Sequence, residues 1–99
     1  MARKRKKIKV VLRPLGQERA WGLAYSSDFT IHLDERVKPR TLLVNAIHEA
    51  NHCLYESLSE TKVEENAQIL ASLLWKLGFR LVYNENKLIK PMIKRKKKN

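Results

Sequence analysis

Residues 48 to 52 read His-Glu-Ala-Asn-His, an H-E-x-x-H spacing. On a helix, residues four apart share a face, with Cβ atoms about 5–6 Å apart, so the imidazoles of His48 and His52 can reach one cation. Two neutral imidazoles suit a tetrahedral Zn²⁺ site, at about 2.0–2.1 Å from the metal. Glu49 is turned about 100° around the same cylinder. It falls beside the metal as a general base that can take a proton from a metal-activated water.

A catalytic zinc usually has three protein ligands and keeps one position for water. No histidine follows His52 in the chain, so a carboxylate is the natural third ligand. Glu60, Glu64 and Glu65 lie on the first turns of a second helix expected over residues 59 to 77, with Val63, Ala67, Leu70, Leu74 and Leu77 on its buried face and Gly78 as its C-cap. Glu64 lines up with Ala67 and Ala71, small residues that let two helices approach closely, whereas Glu65 lines up with Ile69, Ser72 and Lys76. The packing therefore favours Glu64, with Glu60, one turn earlier, in reserve. A competing role for Glu64 is a capping box with Thr61.

The segment from Thr41 to Phe79, TLLVNAIHEANHCLYESLSETKVEENAQILASLLWKLGF, resembles a small zincin metallopeptidase domain, nearest to the ImmA/IrrE-type and phage-encoded zinc peptidases. In that group H-E-x-x-H is followed by a helix patterned E-x-x-A-x-x-(F/L)-A, and Glu64, Ala67, Leu70 and Ala71 match it. The resemblance implies Glu64 as third ligand, one Zn²⁺ per chain and a gluzincin-like metalloendopeptidase acting on a protein or peptide substrate. It also implies that the strand before the zinc helix, Phe29 to Leu33, is an edge that pairs with an extended substrate.

These residues need elements to hold them. Leu43, Ala46, Ile47, Ala50 and Leu54 follow the i, i+3, i+4, i+7 rhythm of a core-facing helix from Pro39 to Glu56, and both histidines fall off that stripe. Upstream the period changes to two. Ile8, Val10 and Leu12, then Trp21, Leu23 and Tyr25, then Phe29, Ile31 and Leu33 alternate with other residues around the turn at Ser26, Ser27 and Asp28. The expected fold is α+β, a three-stranded antiparallel sheet followed by two packed helices, with one more short extended segment over residues 80 to 83. His32, on the polar face of its strand, and Tyr55, one turn past the motif, are further candidates for holding a substrate oxygen.

Ninety-nine residues with 43% apolar content support one modest core. Residues 1 to 7 form a basic arm, 8 to 83 the domain and 84 to 99 a polar to basic tail. Of the net charge of +11, ten charges lie in Arg3, Lys4, Arg5, Lys6 and Lys7 and in Lys94, Arg95, Lys96, Lys97 and Lys98. Such blocks are expected to stay disordered and to touch polyanions, so nucleic acid is a candidate non-specific, salt-sensitive partner. An alternative function follows from them: a nucleic-acid-binding accessory protein whose zinc site is structural or vestigial. The single cysteine, Cys53, excludes an internal disulfide, and the basic start lacks a secretory h-region, which points to the cytoplasm and away from a membrane.

Overall fold

The computed structural model describes residues 6–82. Strands β1 (Lys9–Leu12), β2 (Gly22–Tyr25) and β3 (Thr30–Leu33) precede helices α1 (Pro39–Leu54) and α2 (Glu60–Lys76), and 3-10 turns lie at Gly16–Glu18 and Ser26–Asp28. The α+β class and the element order agree with the sequence. The sheet, however, is mixed: its order is β1-β3-β2, with β2 antiparallel and β1 parallel to the central β3.

The cause lies in residues 13 to 21. Two consecutive strands form a hairpin when a tight turn joins them, as the Ser26–Asp28 turn joins β2 to β3. The connection after β1 is longer and carries Pro14 and Gly16, so the chain arches over the end of the sheet and β2 enters at the far edge. Asp34, just past β3, locks this arch. Its fully buried carboxylate accepts from the Leu15 N–H (2.9 Å), the Arg36 N–H (3.1 Å) and the Arg36 guanidinium (2.8 and 2.6 Å). Leu15, whose N–H makes one of these bonds, is also fully buried.

Strand alternation sends Leu12, Ile31 and Leu33 to one face, where they meet Leu42 and Cys53 of α1. The burial of Cys53 fits a small helix residue, and that burial raises its thiol pKa. Val44 packs instead against Ala67 and Ala71 of α2. Helix α1 thus has two buried sides, one on the sheet and one on α2. The single stripe ending at Leu54 is accordingly corrected: Leu42, Val44, Asn51 and Cys53 are its buried residues, and Leu54 is 53% exposed.

Helix α1 starts at Pro39, whose missing N–H costs nothing in a first turn. Helix α2 is capped by Ser59, whose hydroxyl accepts from the Lys62 N–H at 3.1 Å, so the capping role belongs to Ser59 and not to Thr61. Past its end Gly78 takes φ +96°, where a Cβ would be strained. The buried face of α2 is Val63, Ala67 and Ala71, while Leu70 and Leu77, expected inside, are 42% and 64% exposed. Residues 80 to 82 are not a strand, and residue 83 lies outside the described residues. Among the described residues no helix is long and apolar enough to cross a membrane.

Candidate metal centre

The two helices pack side by side around a short connection, residues 55 to 59, which sets the first turns of α2 beside the last turns of α1. His48 and His52 project from the same face of α1, ring centroids 5.0 Å apart. Their Nε2 atoms converge on one carboxylate, Glu60, at 2.8 Å from His48 and 3.1 Å from His52. One donor atom from each of His48, His52 and Glu60 lies within 4.8 Å of the others, close enough to share an ion.

Glu64 stands on the other side of His48, accepting from Nδ1 at 2.8 Å, and is itself held by the Gln68 amide at 2.7 Å. The stripe Glu60, Glu64, Ala67, Ala71 thus faces α1, as the small residues implied, and Glu65 points away to pair with Lys62 at 3.3 Å. Glu60, the reserve candidate, is the carboxylate that meets both imidazoles. Glu64, the preferred one, meets only the far nitrogen of His48.

Electrostatics follow from this geometry. Burial alone would lower the His48 pKa, but the carboxylates of Glu64 and Glu60 outweigh it and hold the pKa above the ordinary histidine value. Glu64 is pulled below the usual carboxylate range by its bonds from Gln68 and His48. Glu49 moves the other way: desolvation raises its pKa, and nearby His48 and His52 only partly oppose this.

Glu49 is desolvated because it lies under β2. Together with His52, Glu56, Gly22, Leu23, Ala24, Ser26 and Ser27 it lines an open cleft of about 520 Å³. The Ser26 hydroxyl donates to the His52 carbonyl at 3.3 Å, tying the β2–β3 turn to the helix. Gly22 had no assigned role in the sequence, although an isolated glycine in a strand pattern is a sign of close approach by another group.

Three expectations change here. Strand β3 is central, paired on both sides, so Phe29 to Leu33 has no free edge; the edge beside the cleft is β2. Asp34 N–H donates to the Trp21 carbonyl at 3.0 Å, and antiparallel alternation then makes Leu23–His32 and Tyr25–Thr30 the bonded pairs. The backbone groups of Gly22 and Ala24 consequently point out along the open edge. His32, opposite in direction to Ile31 and Leu33, lies on the sheet face away from the helices, bonded through Nδ1 to Arg13 Nε at 2.8 Å. Desolvation and Arg13 both lower its pKa. Tyr55 is the C-cap of α1, 56% exposed and outside the cleft lining.

Of the basic arms, Lys6 and Lys7 are exposed, with Lys6 Nζ 5.0 Å from the Phe29 ring centre. Arg3, Lys4, Arg5, Lys94, Arg95, Lys96, Lys97 and Lys98 lie outside the described residues. Comparisons with protein-family models, curated proteins and solved structures find no match for this chain.

Proposed function

We propose that this chain is a zinc-dependent metallopeptidase in which His48, His52 and Glu60 hold the metal and Glu49 is the general base. The observation that carries this reading is the convergence of both Nε2 atoms on one carboxylate beside a cleft containing a desolvated glutamate. Two imidazoles and one carboxylate form a borderline N,N,O donor set that suits Zn²⁺. In the protein's own charge balance only the doubly protonated His48 can donate to both of its carboxylates. A cation would replace the Nε2 proton while Nδ1–H kept its bond to Glu64, which fixes the tautomer and ring orientation.

Zinc bound there would acidify water and polarise a scissile carbonyl. Glu49 accepts the proton released as water attacks and returns it to the leaving amine. Its raised pKa brings it nearer the value at which both transfers are efficient. An extended peptide can pair with the outward backbone groups of Gly22 and Ala24, which lays its carbonyl across the cleft above Glu49 and His52.

The test is zinc content together with proteolysis of an unstructured protein such as casein and of a peptide library. Wild type should carry close to one zinc per chain and cleave. Glu49→Gln should keep the zinc and lose about 10²- to 10⁴-fold in rate. Retained cleavage by Glu49→Gln, or retained zinc in the His48→Ala/His52→Ala double variant, contradicts the reading.

A further inference from the structure

We infer that the helix-free face of the sheet binds single-stranded nucleic acid, with bases stacking along β2 and phosphates running along β1. The pairing registers align Lys9, Thr30 and Tyr25 in one row and Val11, His32 and Leu23 in the next. Alternation puts all six side chains on the face opposite Ile31 and Leu33. One edge of this face therefore carries Lys9, followed two residues later by Val11 and then Arg13, while the other carries Tyr25 and, four residues earlier, Trp21. Neighbouring strands are about 4.8 Å apart, so the cationic and aromatic columns stand roughly 10 Å apart, with β3 between them.

The aromatic column is open. Trp21 is 57% and Tyr25 41% exposed, and the Tyr25 ring meets the His32 ring at a tilt of 59°, with centroids 4.7 Å apart. An aromatic ring held by a neighbouring ring and exposed to solvent can serve as a stacking platform, and stacking tolerates any base because every base has a π-face. Arg13 is shared with His32 and Glu18, the latter at 3.2 Å, which fixes its guanidinium at the sheet's edge.

Charge selects the occupant. Among the described residues, 6 to 33 hold five basic and two acidic side chains, whereas 34 to 76 hold five basic and seven acidic ones. A polyanion is drawn to the sheet and repelled from the acidic helices that form the metal centre. The arms alone lack aromatic residues; the strands supply them.

The test uses the full chain and a fluorescein-labelled oligothymidylate, with polyglutamate and heparin as anions that cannot stack in the same way. The Trp21→Ala/Tyr25→Ala pair should weaken oligothymidylate binding at least about tenfold, while leaving the salt dependence unchanged and heparin affinity intact. Tyr25→Phe should restore its share, and Tyr25→Leu, which keeps apolar bulk, should not; thermal melting verifies that each variant is folded. Lys9→Gln should lower the salt slope by about 0.7, one phosphate's worth for a single strand. Unchanged affinity in the aromatic pair, equal loss of heparin and oligothymidylate binding, or preferential binding of polyglutamate overturns the proposal. These readouts are independent of zinc and of proteolysis.

Discussion

Gly22 and Glu49 share one space. A Cβ on Gly22 would lie 2.9 Å from both Cγ and Oε2 of Glu49 and 3.3 Å from its Cδ, closer than a side chain can sit without displacing the carboxylate. The β2 edge and the zinc-motif helix meet at this point, and the close approach both desolvates Glu49 and sets it under the strand. Gly22→Ala should therefore fold and keep its metal-binding residues, yet push Glu49 toward water. Its carboxyl titration, followed by side-chain ¹³C NMR, should move back down toward the ordinary value. An unchanged Glu49 titration in this variant would show that β2 does not set its environment.

The two candidate ligands on α2 separate cleanly in a metal titration. Glu60 touches Nε2 of both histidines, whereas Glu64 touches only Nδ1 of His48. Glu64→Gln, as loss of an outer partner, should weaken zinc affinity by about 10- to 100-fold. Glu60→Gln should weaken it more, and Glu65→Gln, on the solvent side with Lys62, should leave it unchanged. The order is measured by competition with a chromophoric chelator, and a larger loss in Glu64→Gln than in Glu60→Gln restores Glu64 as the ligand.

This pair shows what the chain's pattern reveals and where it stops. The helix phase was readable from Ala67 and Ala71, because small residues permit two helices to come close; it put Glu64 on the α1 side and kept Glu60, one turn earlier, in reserve, and both carboxylates meet His48. Which of the two meets both imidazoles depends on the axial offset between helices, set by the connection over residues 55 to 59, and periodicity carries no information about that offset. The strands show the same division. Alternation located β1, β2 and β3, but pairing partners depend on how far the 13 to 21 connection travels, so the parallel β1–β3 pair was not legible. His32 was readable as polar-faced. That face is the one opposite the helices that carry the candidate metal ligands.

Asp34 makes the fold acid-sensitive in a predictable direction. The Arg36 guanidinium holds its carboxyl well below the usual carboxylate range, and the Leu15 and Arg36 N–H groups add to this, against the desolvation that opposes it. A carboxyl depressed in the folded state stabilises the fold fully above its unfolded pKa, about 3.9, and that stability is lost as pH falls toward the folded value. Asp34→Asn should cost about 2–3 kcal/mol near neutral pH, the scale of charge-assisted hydrogen bonds. The difference between wild type and Asp34→Asn in urea unfolding should shrink below about pH 4. A gap that stays constant from neutral pH to pH 3 would exclude the Asp34–Arg36 pair as its source.

The edge of β2 offers a test of substrate pairing that leaves the metal alone. The Ala24 N–H points outward, whereas Leu23 N–H belongs to the bonded pair with His32, as the Asp34 to Trp21 bond and the register require. Proline is tolerated on an edge strand where the missing N–H faces solvent, and not where it serves the ladder. Ala24→Pro should therefore retain the fold and its zinc while raising KM for extended peptides, with kcat much less affected. Leu23→Pro should lower thermal stability outright. Backbone pairing contributes by hydrogen bonds that do not depend on side-chain identity, so the KM rise should be similar across peptides of different sequence. A KM unchanged by Ala24→Pro on every peptide cleaved would place the substrate elsewhere than along β2.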